Sequence, residues 1–330
     1  MVGVNFAISN DNTMKHQNLT ITTDHKEEVT AQIPVIISAS RATDIPAFYS
    51  NWFFDRLGKG YIRWRNPFNG KESYVAFANT RFVVFWSKNP APLISNLHIL
   101  RDRGIGCYVK YTLNDYIKDG FEANVPALQH RIDTFKRLVD TLGEGSVVWR
   151  FDPLVLTDTI SEDSLLEKID NIAKHLRGYT EKLVFSFADI DSYKKVEKNL
   201  MQAGINYKEW DNESMLSFSK KLSMLNESWG LRLATCSESI ALEQFRIEHN
   251  RCIDPELIAR LTPNDAVLQN FLFNARTDGG QRKHCGCILS KDIGAYNTCP
   301  HGCVYCYANT TQHSALANYQ RYNPNNDSIL

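Results

Sequence analysis

The chain has 330 residues, with 37 lysines and arginines against 37 aspartates and glutamates, so its formal net charge is zero. That balance gives no global field for nucleic acid, and no apolar run is long enough to span a bilayer. The length suits one large α/β barrel or two smaller domains.

The opening MVGVNFAISNDN lacks a basic n-region and a long apolar stretch, so no secretory leader is read there and a cytoplasmic enzyme is expected. The sequon Asn18-Leu19-Thr20 is then a chance match. Residues 1–33 read as a polar N-terminal extension in which NLTITT is a candidate strand.

From residue 34 onward short apolar runs recur: PVIISASR, RFVVFWSKNP, CYVKYTLN, SVVWRFDPLVL, KLVFSFADID and LRLATCSES. Each is nearly continuous in its apolar part, the pattern of strands buried on both faces. Between them 125–142, 161–176, 211–229 and 241–249 read as amphipathic helices, the second opened by Ser161, Ser164 and Glu167. The alternation predicts an α/β fold with a parallel sheet, a full or partial (β/α) TIM-type barrel, with its main part over residues 34–240. Residues 241–330 form a cysteine-rich C-terminal region. Within it DIGAYN (292–297) is a further candidate strand and 310–322 a candidate helix.

The apolar runs finish in polar clusters. These hold Ser38, Ser40, Arg41 and Asp44; Ser87, Lys88 and Asn89; Lys110, Thr112 and Asn114; then Arg150 and Asp152, Ser186 and Asp189, and Thr235 to Glu238. In a (β/α) barrel the catalytic groups gather at those strand ends, so the set predicts one ligand-binding mouth. Helix caps and Asp-Pro turns account for the same residue types at single positions.

The most specific signal is CPHGCVYCYAN, which places Cys299, Cys303 and Cys306 in C-x3-C-x2-C spacing with Tyr305 before the last thiol. Three thiolates in one loop leave one iron of a [4Fe–4S] cluster open, much as a catalytic zinc site keeps a free position. Structural zinc on paired knuckles and a closed cluster are the competing readings. Of the eight cysteines, Cys236, Cys252, Cys285 and Cys287 form a second group, and Cys107 stands apart. Four thiolates suit a closed auxiliary [4Fe–4S] cluster. A structural zinc or simple burial of Cys236 and Cys252 would use the same residues.

The three-cysteine motif resembles the radical S-adenosylmethionine (SAM) enzymes, and HGCVYCYA resembles the cluster loops of spore photoproduct lyase and its relatives. The resemblance implies a catalytic [4Fe–4S] cluster whose open iron chelates SAM, cleavage of SAM to a 5′-deoxyadenosyl radical, and an electron donor such as flavodoxin or ferredoxin. It places Tyr305 near the adenine. In most radical SAM enzymes the cluster loop follows the first strand; here it follows the sixth candidate strand, which implies a circularly permuted barrel. The layout ISASRATDIPAFYS, RNPF, FWSKNP, WRFDPL, FSFADID, HCGC and DIGAYNTCPHGCVYCYAN resembles a family known as a domain of unknown function, numbered 1848, from about Ile36 to the end.

Arg41, Lys88 and Arg150 are candidates to hold the SAM carboxylate or an anionic substrate, since guanidinium groups pair well with planar anions. Asp152, Asp189 and Glu238 are candidates for the ribose hydroxyls or the SAM ammonium. The substrate classes left open are a nucleic-acid lesion, a peptide and a small molecule. Two other classes of function stay in view: a non-enzymatic zinc or Fe–S binding module, and a metal-independent barrel lyase or hydrolase using Asp152, Asp189 and Lys110.

Overall fold

The computed structural model describes residues 17–330 apart from Phe68 and Lys283. Part of the expected N-terminal extension, residues 1–16, therefore lies outside the described residues. In chain order the elements begin with β1 (Asn18–Thr22), β2 (Glu28–Gln32), β3 (Ile36–Ala39), α1 (Ile45–Phe48), α2 (Ser50–Lys59), β4 (Tyr61–Arg65), β5 (Glu72–Ala76), β6 (Phe82–Ser87), α3 (Leu97–Asp102) and β7 (Gly106–Thr112). They continue with α4 (Leu128–Leu142), β8 (Val147–Leu154), β9 (Leu156–Thr157), α5 (Glu162–Leu176), β10 (Lys182–Phe187), α6 (Lys194–Gln202), β11 (Tyr207–Lys208) and α7 (Asn212–Asn226). Last come β12 (Arg232–Thr235), β13 (Ile247–His249), α8 (Pro255–Leu261), α9 (Ala266–Phe273), β14 (Lys291–Asp292) and α10 (Gln312–Arg321).

The fold is mixed α/β around an eight-stranded sheet in the order β13-β12-β10-β8-β7-β6-β3-β14, with every recorded neighbour pair parallel. Alternation along the strands divides their side chains between two cores. Ile37, Val83, Phe85, Val109 and Tyr111 face the helices, whereas Ile36, Phe82, Val84 and Tyr108 pack on Ile253, Ile258, Leu268, Leu272 and Ile288 of the C-terminal region. Full burial of each such side chain contributes about 1.5–3 kcal/mol, which is why the runs read as continuously apolar. The cysteine-rich region thus covers this second face of the sheet.

The segments that follow β10 and β14 meet: the ring of Tyr193 lies 6.3 Å from that of Tyr307.

Helix starts follow local chemistry. The Ser161 side chain caps α5 by accepting from Ser164 N, and Asp211 with Ser214 forms a capping box on α7. The expected helix over 241–249 is a correction: the segment makes a short 3-10 turn at Glu243–Phe245 and then β13, whose Ile247 pairs beside Leu233. Sheet pairing at a parallel edge overrides the weak helical pattern there. DIGAYN is a strand only at Asp292, because the chain turns away after the β3 pairing. The sequence pattern missed α8 and α9, and also the small sheet β1-β2-β5-β4 that ties the head to the 61–76 hairpin. Among the described residues no helix is long and apolar enough to cross a membrane.

Candidate functional site

The three-cysteine loop leaves the sheet through Asp292. Its carboxylate accepts hydrogen bonds from Ser38 Oγ at 2.8 Å, Ser40 Oγ at 2.7 Å, Arg41 N at 2.9 Å and Gly294 N at 3.0 Å. A Cβ on Gly294 would meet Ser40 Oγ at 1.8 Å, so the close approach requires glycine. Further on, Asp44 takes Ser87 Oγ, the Lys88 amide and His301 Nε2, each at 2.7 Å. The loop is also stitched to residues 121–124 by backbone bonds from Val304 N to Phe121 O and from Asn124 N to His301 O.

Within this frame Cys299, Cys303 and Cys306 lie in one loop. Burial pushes all three thiols up, Cys303 to about 12, while the Lys88 ammonium pulls Cys303 and Cys306 back toward the thiolate.

Beside Cys303 lies a buried polar network. Lys88 Nζ donates to Glu122 Oε1 and to the Tyr305 hydroxyl, both at 2.8 Å, and Tyr305 donates to Glu122. Asn114 Nδ2 reaches the same carboxylate at 3.3 Å, and the wholly buried Arg131 lies 3.6 Å from its other oxygen. Burial works against the charge on Glu122, but Lys88 and Arg131 outweigh it and hold the carboxyl below its ordinary value. The Tyr305 ring packs edge-on to Tyr116 and Phe121. Two of the three Lys88 donors and the Tyr305 hydroxyl are therefore engaged by the protein.

The second cysteine group is brought together from three loops, after β12, after β13 and before β14. Cys236 Sγ lies 3.4 Å from Cys252 Sγ, and contacts continue from Cys252 to Cys287 and from Cys287 to Cys285. Cys252 also accepts from Arg150 Nη1 at 3.0 Å and Asn250 Nδ2 at 3.1 Å, and Cys287 accepts from Ile253 N at 3.3 Å. Hydrogen bonding from Cys236 and Cys287, with Arg150 and Lys110 nearby, drives Cys252 far below the ordinary thiol value. Contact with Cys287 brings Cys285 down to about 6.

Arg41 stands beside Cys287 with its Nη2 buried and without a hydrogen-bond partner. Arg41 and Arg150 flank the Trp86 ring at 5.0 and 5.4 Å. Four thiols met by two guanidinium groups are a donor set that fits a four-thiolate centre of net negative charge. The sulfurs form a chain of contacts; among the described residues no three His, Cys, Asp or Glu side chains converge on a point that would hold a single metal ion.

The polar strand ends carry further charged groups. Asp152 pairs with Arg150 Nη2 at 2.5 Å and accepts from Ser186. Burial, reinforced by Asp152 and Asp189, raises Glu238 to about 7. Asp189 itself is exposed. Lys110 is buried below Arg150, and burial lowers it to about 8. The sequence-level candidates thus divide: Arg41 and Arg150 turn to the four-cysteine group, Lys88 and Tyr305 to the three-cysteine loop, while Asp152 pairs with Arg150 and Glu238 accepts from Phe187 N at 3.0 Å. Glu122, Arg131 and His301 escaped notice, since no local motif marks a residue whose partners lie far along the chain. The C-P-H-G spacing was the one available signal for His301.

No curated protein and no solved structure matches the chain. Residues 36–308 match the family model described as Domain of unknown function (DUF1848). Covering most of the sequence, that match carries the strand ends, the buried network and both cysteine groups, and the chain belongs to this family.

Proposed function

We propose that the protein is a radical SAM-type enzyme. Cys299, Cys303 and Cys306 hold a catalytic [4Fe–4S] cluster, and Cys236, Cys252, Cys285 and Cys287 hold a second. The observation that carries the reading is the pairing of Lys291 with Ile37 and of Asp292 with Ser38. It makes the strand before the three-cysteine loop a member of the parallel sheet, with the loop at the strands' C-terminal end. The sheet is read as a permuted (β/α) barrel whose order begins at β14. Bound with SAM, the open-site cluster supplies a 5′-deoxyadenosyl radical.

The protein's own residues do the rest. Glu122, Lys88 and Tyr305 fix the segment between Cys303 and Cys306, and Asp44 with His301 fixes its start. Asp152, Asp189 and Glu238 are available for the ribose hydroxyls or the ammonium of SAM, and for substrate. Trp86 and the aromatic residues around Tyr305 exclude water from the reacting end, which protects a radical from quenching. A one-electron donor of the flavodoxin or ferredoxin class supplies the electron, and the enzyme works in the cytoplasm. The substrate class stays among a nucleic-acid lesion, a peptide and a small molecule.

The test is anaerobic reconstitution, reduction with SAM present, and assay for 5′-deoxyadenosine. About eight irons per chain with product formation supports both clusters, and Cys303→Ser is expected to abolish product. Zinc without iron, or iron without SAM cleavage, would refute the enzyme reading.

A further inference from the structure

The two cysteine groups differ in what meets their sulfurs. At the four-cysteine group a guanidinium nitrogen of Arg150 lies 3.0 Å from Cys252 Sγ, and Arg41, with an orphaned Nη2, stands beside Cys287. Asn250 Nδ2 and Ile253 N add two further N–H···S bonds. Each cation also has a carboxylate nearby: Asp152 pairs with Arg150 Nη2 at 2.5 Å, and Asp292 lies close to Arg41. At the three-cysteine loop the nearest cation, Lys88, is instead spent on Glu122 and Tyr305.

Hydrogen bonds to sulfur and nearby positive charge both favour the reduced, more negative state of an iron–sulfur centre. We infer that the four-cysteine group is an electron acceptor poised by Arg150 and Arg41, so that the net reaction of this enzyme is a two-electron oxidation of its substrate. The inference rests on the proposed radical SAM reading for its chemistry, but not for its test.

One electron from a flavodoxin- or ferredoxin-class carrier cleaves SAM to methionine and the 5′-deoxyadenosyl radical. The substrate loses a hydrogen atom to that radical, which leaves as 5′-deoxyadenosine. The substrate radical then loses one electron to the four-cysteine group and one proton to solvent, forming a new π bond or its equivalent. The transferred electron returns to a carrier of the same class. SAM is consumed once per turnover, and no net reductant is used.

The experiment isolates the second group. A full-length chain carrying Cys299→Ser, Cys303→Ser and Cys306→Ser together is reconstituted and titrated, with electron paramagnetic resonance as the readout. It is expected to retain about four irons per chain. Adding Arg150→Met is expected to disfavour reduction by tenfold or more, a fall of about 59 mV or more for one electron. Arg150→Lys is expected to recover part of that fall, which a purely structural role would not predict. Arg41→Met provides an independent second variant should Arg150→Met fail to fold. An unchanged midpoint in both variants overturns the inference, as does a triple variant that binds zinc or no iron. Normal behaviour of the triple variant alongside a wild type that never cleaves SAM would sink the radical reading alone.

Discussion

His301 Nε2 donates to Asp44 Oδ2 at 2.7 Å across 257 residues of chain, with both side chains buried. The contact joins the turn after β3 to the first half of the three-cysteine loop. The same carboxylate also receives Ser87 Oγ and the Lys88 amide, so one side chain holds the ends of three neighbouring strands in register.

Asp44→Ala should therefore cost about 2–4 kcal/mol, since it leaves several buried donors without an acceptor. Asp44→Asn, which keeps one acceptor oxygen, should cost less. Urea unfolding of the metal-free protein measures both; equal stabilities for wild type and Asp44→Ala would show that the donors find water instead.

Glu122 is the sole carboxylate hydrogen-bonded to Lys88 among the described residues, and it also faces Arg131. Removing it strands two buried cations, so Glu122→Ala is expected to lose about 3–5 kcal/mol. The double variant Glu122→Ala with Lys88→Met should recover part of the loss, because one stranded charge is gone. Purely additive losses in that cycle would contradict a coupled network.

Gly294 lies against the Ser40 side chain, where an added Cβ would meet Oγ at 1.8 Å. Gly294→Ala should destabilise the protein by about 1–3 kcal/mol through overpacking and lower iron retention by the adjoining loop. Pairing it with Ser40→Gly opens the space. If iron retention does not improve in the pair, the steric account fails.

Lys291 lies over the Trp64 ring at 3.5 Å, next to Asp292. Burial lowers its amine from 10.5 to about 8, against the opposing pull of Asp292. Between those values the unfolded chain holds a proton that the folded chain has released, so stability rises with pH across that window and is flat just below it. Lys110 contributes in the same direction, while groups raised by burial oppose it, thiols such as Cys107 and Cys303 from about pH 9 and tyrosines such as Tyr49 and Tyr116 above about pH 10, so the Lys291 contribution is read as the difference from Lys291→Met. Unfolding free energies at pH 7, 8 and 9 should show the rise, and Lys291→Met should reduce its slope. A slope that Lys291→Met leaves untouched would locate the titration elsewhere.

Much of the architecture was legible because burial acts on short runs. RFVVFWS and SVVWRFDPL read as strands since both faces are packed, and Ser161 announced its helix through a side-chain cap. The partition of seven cysteines into three and four was equally visible from spacing. The helix expected over 241–249 failed because pairing with β12, a contact that no local pattern encodes, decided that segment.

The sequence by itself determined the alternating strands and helices, the three-cysteine loop and the polar strand ends, because each depends on residues within about ten positions of one another. Only the tertiary structure decided that Arg150 meets Cys252, that Arg41 stands beside Cys287, and that Glu122 faces Lys88, Arg131 and Tyr305. Those pairings are 34 to 217 residues apart where Lys88 is concerned, and a buried charge takes whichever opposite partner the packed chain brings to it. Packing on the second face of the sheet makes that choice, because it brings Phe82, Val84 and Tyr108 against the C-terminal segment that carries the second cysteine group.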